Sequence, residues 1–322
     1  MRKILVIGTG GTISCTQSEN GLAPAISIGE LLKKIEIPRD SLEVHTEQLF
    51  DLDSTNMTPR HWETLAKRIR ERYDEFDGFV ITHGTDTLGY AAASLSCLVQ
   101  NSRKPIVFTG SMKPITDEDS DAPGNLRDAV KFAADERAFG VRVVFDGAII
   151  NGRCAHKYET ENIDSFDSVD RDDFGFFNSD GNIFFDEKYS GETRFYERLS
   201  DDVFLAKLIP GQRLYIPENA RAVILESYGA GGVPDYLLGK VAELANRGVY
   251  VIIATQCAYG GTKLDEYEVG RYAAKLCPLL ETGKMTVEYA VARARWALEY
   301  SNGYDEFKKY FTMRNGYEMY FG

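Results

Sequence analysis

Short apolar runs rich in valine and isoleucine recur along the chain, and longer segments with helical spacing of apolar residues lie between them. Such runs are typical of strands buried on both faces of a parallel sheet. The pattern predicts strands at residues 4–7, 78–81, 106–109, 141–145, 204–209, 222–225 and 249–254. It predicts helices at residues 59–73, 88–100, 125–136, 235–246 and 287–300. Strands that alternate with helices indicate an α/β fold with a mostly parallel sheet.

Residues 165–202 break this alternation. The segment is rich in aspartate, phenylalanine, asparagine and glycine, and it contains short alternating stretches such as residues 182–185. This composition predicts a small β-hairpin region followed by a polar linker. We therefore expect a larger N-terminal catalytic α/β domain at residues 1–190, a linker at 191–202 and a smaller C-terminal α/β domain at 203–322.

Composition narrows the classes of function. The 322 residues are 43% hydrophobic, enough for a sizeable core, and 37 basic against 49 acidic side chains give a net charge of −12. An acidic chain lacks the field that collects phosphate backbones, so we expect no nucleic-acid partner. The five cysteines are widely spaced without a C-x-x-C motif, which argues against a disulfide framework and a structural zinc site. The first apolar run is too short for a signal peptide and no membrane-spanning run occurs, so we expect a cytoplasmic protein without membrane contact.

The first segment with candidate chemistry is Gly-Thr-Gly-Gly-Thr-Ile at residues 8–13, directly after the first strand. A dinucleotide site requires a third glycine where Ile13 stands, and residues 14–21 are polar and loop-like rather than helical. A tight turn with locally bonded threonines explains the segment without a function. The alternative is that the glycines clear space for a hydroxyl, Thr12 or Thr9, to face a ligand.

A second segment, Thr-His-Gly-Thr-Asp-Thr at residues 82–87, lies between a predicted strand and a predicted helix. Asp86 or Thr87 can simply cap the helix. The density of hydroxyls and a carboxylate is nevertheless high for a strand end, where open α/β sheets bind ligands. The helix N-terminus offers free N–H groups to an anion as well.

Weaker candidates are Lys157, the segment 53–59 and Ser111 in the turn at 109–114. A lone lysine is usually solvated, but a threonine nucleophile needs a base, and a desolvated lysine near Thr85 and Asp86 can serve. In residues 53–59, Thr58 caps a helix, which leaves Ser54 and Thr55 to grip a polar ligand. The sequence has no metal-ligand histidine spacing, no G-x-S-x-G elbow and no Walker A motif.

The combination of Thr-Gly-Gly-Thr-Ile at 9–13, His-Gly-Thr-Asp-Thr at 83–87 and Lys157 closely resembles the bacterial-type L-asparaginase family, in particular its type I cytoplasmic branch. Other segments along nearly the whole chain resemble the family too, at 53–59, 78–87, 105–111, 121–129, 166–168, 226–234 and 255–257. The first two motifs at this separation are far more specific than any single glycine motif.

The resemblance implies hydrolysis of L-asparagine to L-aspartate and ammonia through a threonine acyl-enzyme, with no metal or organic cofactor. Thr12 matches the nucleophile, and Thr85, Asp86 and Lys157 match the proton-transfer group. Asp86 would also hold the α-amino group, Ser54 with Thr55 the α-carboxylate, and the main chain of Ser111 the reacting amide. The residues expected to bind substrate are Gly11, Asp53, Ser54, Thr55, Gly84, Thr85, Asp86 and Ser111. The family suggests a homo-oligomer, a dimer or a tetramer.

Two features depart from the family pattern. Leu22 stands where many members carry a catalytic tyrosine, so another side chain orients Thr12 or turnover is weaker. At the effector site of cooperative type I relatives, Cys257 matches, but Glu226 replaces an arginine and His156 a threonine. A carboxylate there would repel the effector's carboxylate, so we expect nearly hyperbolic kinetics.

Two other functions stay open from the sequence. Leu22 favours the hypothesis of a non-catalytic amino-acid-binding protein. The presence of the full catalytic set argues against it: Thr12, Thr85, Asp86 and Lys157. The second alternative is an amidase that supplies ammonia to a tRNA-dependent amidotransferase. Relatives of that kind carry an extra N-terminal domain, whereas this sequence opens on the strand before the first motif. Release of ammonia from asparagine separates the binding protein from both enzymes.

Overall fold

The computed structural model describes residues 1–19, 21–37, 42–169, 175–185 and 187–313. It divides into two compact units, Met1–Glu197 and Arg198–Gly322. The domain bounds inferred from the sequence, 1–190 and 203–322, stay predictions. No helix in the described ranges is long and apolar enough to cross a bilayer.

Among its described residues, the N-terminal unit combines one large sheet with three small two-stranded ones. Its strands are β1 (Arg2–Gly10), β2 (Cys15–Ser18), β3 (Gly21–Pro24), β4 (Leu42–Leu52), β5 (Gly78–Thr82), β6 (Val99–Gln100), β7 (Pro105–Thr109), β8 (Gly140–Phe145), β9 (Ala148–Asn151), β10 (Ala155–Lys157), β11 (Phe166–Ser168), β12 (Gly175–Phe177), β13 (Ile183–Phe184) and β14 (Arg194–Phe195). Its helices are α1 (Ile28–Leu31), α2 (Pro59–Arg72), α3 (Leu88–Leu98) and α4 (Ala122–Ala133).

The large sheet has the strand order β13-β12-β9-β8-β7-β5-β1-β4. Strands β4, β1, β5, β7 and β8 are parallel, and β9, β12 and β13 extend the sheet with antiparallel pairs. Every residue of β5, β7 and β8 is buried, as expected for strands covered on both faces. The carboxyl ends of the parallel strands therefore meet at one edge of the sheet.

Local sequence explains where the covering helices begin. Thr58 and Pro59 start α2, and the side chain of His61 accepts the Thr58 N–H at 3.0 Å in a capping box. Buried positions on α2 recur with helical spacing, at Trp62, Leu65, Ala66 and Ile69. In α3 nine of eleven residues are buried, so it packs on most of its circumference.

Several predicted bounds were wrong. The helix predicted to Gln100 ends at Leu98, because β6 follows and pairs with β14, which lies inside the segment predicted as a linker. The helix predicted from residue 125 begins at Ala122, since proline is compatible with a first helical turn. Within residues 14–21, predicted as a loop, Cys15–Ser18 form β2 and Gly21 begins β3 of a hairpin. Strand β4 escaped prediction because polar residues are interspersed with its apolar ones and none of its eleven residues is fully buried.

The C-terminal unit contains a four-stranded parallel sheet in the order β15-β16-β17-β18. Its elements are β15 (Val203–Lys207), β16 (Ala222–Ser227), α5 (Asp235–Asn246), β17 (Tyr250–Thr255), α6 (Glu268–Leu276), β18 (Leu279–Glu281), α7 (Val287–Tyr300) and α8 (Tyr304–Thr312). Apolar residues of β16 and β17 form its core with α5. The α/β class, the mostly parallel sheet, the β-hairpin and the smaller second sheet confirm the predicted fold.

Candidate active site

Four turns follow the carboxyl ends of neighbouring parallel strands. They are the β1 turn (residues 10–12), the β4 turn (53–56), the β5 turn (83–87) and the β7 turn (110–113). Ligands of open α/β sheets bind at this edge. Most of the side chains singled out from the sequence lie in these turns.

Glycines allow the turns to touch backbone to backbone. A Cβ on Gly11, whose φ is +84°, would lie 2.3 Å from the nitrogen of Gly84. A Cβ on Gly84 would lie 2.6 Å from the Ser54 hydroxyl oxygen. A Cβ on Gly110 would lie 2.3 Å from the carbonyl oxygen of His83. Only glycine fits at these positions without a shift, so the four turns form one contiguous group.

Thr12 begins a short 3-10 helix, Thr12–Ser14, and its side chain is partly exposed. Within the described residues, its hydroxyl makes no hydrogen bond. The turn itself is well held, because the Ser14 hydroxyl donates to the Gly11 carbonyl at 2.9 Å. The result is a hydroxyl on a fixed backbone that is open to a ligand.

Lys157, at the end of β10, joins the two polar residues of the β5 turn. Its Nζ donates to Thr85 Oγ1 at 2.8 Å and to Asp86 Oδ1 at 2.7 Å. Thr85 is buried, and the Lys157 side chain is 17% exposed against 57% for Asp86. The Lys157 amine therefore lies on the inner side of the group, while the Asp86 carboxylate keeps an open side for a cation.

In the β4 turn the Thr55 hydroxyl is hydrogen-bonded, whereas the Ser54 hydroxyl makes no hydrogen bond to the described part of the chain. The Asp53 carboxylate accepts the Thr55 N–H at 2.8 Å and the Thr55 hydroxyl at 2.7 Å. Thr87 Oγ1 donates to the Ser54 carbonyl at 2.8 Å and ties this turn to the β5 turn. Ser54 is buried beside Gly84, and its hydroxyl is the donor that this turn offers to a ligand.

His83 is a structural residue of the β5 turn. It is fully buried, its Nδ1 lies 2.8 Å from the Gly84 carbonyl oxygen, and its ring meets Phe108 edge to face. Burial lowers the pKa of His83 to about 4, against a smaller opposing effect of the Gly84 hydrogen bond. The imidazole is therefore neutral at physiological pH.

The β7 turn holds Ser111, whose buried hydroxyl donates to the Lys113 carbonyl at 2.5 Å. The side chain is thus used within the turn, which leaves the main chain for a ligand. Sequence reasoning missed two residues behind this turn, Asp121 and Asn125. Their spacing of four places both on one face of α4, which is the signal that could have found them.

The two departures from the family pattern are also located. Leu22 lies on β3 opposite Gln17 and is 54% exposed, so it offers an apolar surface and no hydroxyl. Glu226 ends 3.6 Å from the Lys207 ammonium within the C-terminal unit. In the part of the chain that the structure describes, no three histidine, cysteine, aspartate or glutamate side chains converge to hold a metal ion.

Comparison with protein families gives matches over most of the chain. Residues 3–189 match the family described as "Asparaginase, N-terminal", and residues 204–311 match "Glutaminase/Asparaginase C-terminal domain". The chain is 38% identical over 321 residues to an L-asparaginase of Thermococcus kodakarensis, covering 95% of this chain and 96% of the relative. It is 31% identical to one subunit of the glutamyl-tRNA(Gln) amidotransferase of Pyrococcus furiosus, covering 95% of this chain and 74% of the relative.

Solved structures are similar over the full length. The thermostable L-asparaginase from Thermococcus kodakarensis superposes with a TM-score of 0.90 at 36% identity, covering 98% of both chains. A probable cytoplasmic L-asparaginase from Campylobacter jejuni gives a TM-score of 0.83 at 26% identity, covering 97% of this chain and 99% of the other.

Proposed function

Since the chain belongs to the asparaginase family, we propose that it hydrolyses L-asparagine to L-aspartate and ammonia with Thr12 as the nucleophile. The observation that carries the assignment of the site is the group formed by Lys157, Thr85 and Asp86 on the turn that touches the Thr12 turn. An open hydroxyl beside a hydrogen-bonded hydroxyl and amine is the arrangement that nucleophilic catalysis by threonine needs.

The first step forms the ester. The Thr12 hydroxyl attacks the side-chain amide carbon, its proton leaves through the group of Thr85 and Lys157, and the amide nitrogen departs as ammonia after it is protonated. Water then attacks the β-aspartyl ester, which releases L-aspartate and restores the Thr12 hydroxyl. Because each step transfers a proton, removal of a group in this path should cost roughly 10²–10⁴-fold.

The oxyanion of each step needs hydrogen-bond donors. The β1 and β5 turns touch where Gly11 meets Gly84, and Thr12 and Thr85 follow these two glycines directly in sequence. We propose that the backbone N–H groups of Thr12 and Thr85 stabilise the oxyanion, an interaction often worth ~3–4 kcal/mol per donor. The backbone contact of Gly11 with Gly84 fixes the relation between the two turns, so no reorganisation is needed during reaction.

The α-groups of the substrate would bind at the other polar positions. The exposed side of Asp86 suits the α-ammonium, and the Ser54 hydroxyl suits the α-carboxylate. Asp53 and Thr55 support this grip by holding the β4 turn. Since both α-groups of the substrate are fixed, the distance from them to the Thr12 hydroxyl determines which substrate side chain fits. The longer side chain of glutamine would misplace its amide.

We also propose a cytoplasmic homo-oligomer, a dimer or tetramer. None of the five cysteines forms a disulfide, which is usual for a reducing compartment. Val269, Tyr272 and Leu276 give α6 an exposed apolar face at helical spacing. A second copy of this chain is the proposed partner for that face.

The test is release of ammonia from asparagine and from glutamine by the wild type and by Thr12→Ala. We expect a clear preference for asparagine and no turnover by Thr12→Ala with the fold retained. Thr64→Ala is a matched control, because that hydroxyl only bonds the Arg60 carbonyl within α2. Failure of the wild type to release ammonia from either amide would support the binding-protein alternative, and preference for glutamine would support an ammonia-supplying amidase.

A further inference from the structure

Two side chains from the start of α4 hold the β7 turn. The Asp121 carboxylate accepts the Met112 N–H at 2.9 and 3.1 Å and the Lys113 N–H at 3.0 Å. Asn125 Nδ2 donates to the Gly110 carbonyl at 3.1 Å and to Asp121 Oδ2 at 3.0 Å. Together the pair bonds backbone groups of Gly110, Met112 and Lys113, which surround Ser111.

The orientation of Asp121 is unusual for its position. Aspartate at an N-cap normally accepts an N–H of the first turn of its own helix. The Asp121 side chain makes no such bond, and its carboxylate points to the preceding turn instead. The Ser120 hydroxyl accepts the Ala122 N–H at 3.1 Å instead, which leaves the Asp121 carboxylate for the β7 turn.

Asn125 uses its whole side-chain amide inside the protein. It is 3% exposed, and besides its two donor bonds its Oδ1 accepts the Asp146 N–H at 2.9 Å. It therefore connects the β7 turn with the β8–β9 turn. An apolar replacement would leave the Gly110 carbonyl and the Asp146 N–H without this partner, and buried polar groups without partners are costly.

The opposite side of the β7 turn rests on the proton-transfer group. The space of a Cβ on Gly110 is filled by the His83 carbonyl, and Thr85 Cγ2 lies 3.7 Å from it. Asn125 holds the Gly110 carbonyl, while the backbone of Gly110 contacts the β5 turn. The turn is thus fixed between the Asp121–Asn125 pair and Thr85.

We propose that Asp121 and Asn125 are positioning residues that fix the main chain of Gly110 and Ser111 against Thr85, and so set the place of the substrate's side-chain amide. The proposal rests on the proposed function, because it assigns the β7 turn to recognition of that amide. A loosened turn would misplace the reacting carbon, and small displacements can cost ~10²-fold in rate. It would also admit a longer amide, so selectivity for asparagine over glutamine would fall.

The experiment compares Asp121→Asn and Asn125→Leu with the control Leu126→Ala. Both test variants keep side-chain size, and Leu126 is a fully buried residue of the same helix whose truncation destabilises without touching the turn. We expect kcat for asparagine to fall at least ~10-fold in the test variants, because the reacting carbon is misplaced. The ratio of kcat/KM for asparagine to that for glutamine should fall, and KM should change little. Leu126→Ala should lower thermal stability and leave kcat and the ratio unchanged.

Hydrogen exchange at the amides of Met112 and Lys113 supplies a readout that does not depend on activity. Faster exchange in the test variants than in Leu126→Ala, together with the kinetic split, supports the proposal. Test variants that match Leu126→Ala in exchange and in kcat overturn it. A wild type that hydrolyses neither amide refutes the proposed function, and the exchange rates then still decide whether the pair fixes the turn.

Discussion

Two parallel sheets in this chain have loops at their carboxyl ends, but they use polar side chains differently. In the C-terminal unit these side chains bond nearby backbone: Thr255 Oγ1 donates to the Gly229 carbonyl at 2.5 Å, and Gln256 Nε2 to the carbonyls of Leu208 and Glu226 at 2.7 and 2.9 Å. In the N-terminal unit, Lys157 bonds the side chains of Thr85 and Asp86, more than 70 residues away.

The difference shows what a parallel sheet contributes to a site and what it does not. Both sheets provide a polar edge, but in the C-terminal unit the polar side chains bond backbone carbonyls of neighbouring segments. In the N-terminal unit, the Lys157 side chain bonds the side chains of Thr85 and Asp86 in the β5 turn, and the open Thr12 hydroxyl lies on the adjoining β1 turn. Side chains arranged in this way can exchange protons with a substrate. The C-terminal side chains instead serve to hold backbone segments together.

The largest expected effect comes from removing the Lys157 amine that bonds Thr85 and Asp86. Lys157→Met should lower kcat at least ~10²-fold, because Thr85 loses its proton partner. Lys157→Arg should not restore activity, since a guanidinium keeps its proton at ordinary pH. Steady-state ammonia release measures both. A fully active arginine variant would show that the residue supplies only charge.

The second largest effect is expected from a methyl group at the contact between turns. The same substitution in the C-terminal unit should have a different effect on stability and activity. Gly84→Ala keeps an ordinary φ of −69°, but its Cβ would lie within 2.7 Å of Ser54 Oγ and Cβ. We expect a loss of activity and of about 1–3 kcal/mol in unfolding free energy, as is usual for overpacking. Gly239→Ala is the control in α5, where a Cβ meets nothing within 4 Å and should stabilise the helix by about 0.5–1 kcal/mol. Equal behaviour of the two variants in denaturant titrations and assays would contradict this account.

The buried histidine gives the N-terminal unit a pH dependence of stability. His83 has a pKa of about 4 when folded and near 6.5 when unfolded, so between these values the unfolded chain binds the extra proton. Stability from the neutral imidazole is therefore present above pH 6.5 and is lost as the pH falls towards 4, a change of about 3 kcal/mol. His83→Gln should lack this component. Denaturant titrations across that range test it, and parallel curves for the two proteins would show that His83 titrates normally.

The smallest expected effect concerns the C-terminal unit. The family resemblance predicts that an effector carboxylate would approach Glu226, which faces Lys207, and two carboxylates repel each other. Initial rates over a wide range of asparagine should give a Hill coefficient close to one, unchanged by Cys257→Ala. A sigmoidal curve that Cys257→Ala abolishes would show that an effector site persists.

The elements that the sequence predicted well are those with a local cause. Continuous apolar runs identified β5 and β7, and the Thr58–Pro59 start identified α2. Strand β4 was missed because its exposed positions dilute the apolar pattern, and β6 because two residues carry no pattern.

The candidate site likewise has features that the sequence predicted and features that depend on tertiary packing. The motifs drew attention to Thr12, Thr85 and Asp86, and the family resemblance added their roles. The contact of Gly11 with Gly84 and the turn of Asp121 away from its own helix depend on the packing of distant segments. The spacing of four between Asp121 and Asn125 is a local signal for the pair, but it does not show that the Asp121 carboxylate points to the preceding turn.

The most direct test of the central claim is to identify the residue that carries the ester. Wild-type protein mixed with asparagine is quenched in acid within the first turnover, digested and analysed by mass spectrometry. The account predicts a β-aspartyl ester on the peptide that contains Thr12, and none in Thr12→Ala. An ester on Thr85 instead, or normal turnover by Thr12→Ala, would contradict it.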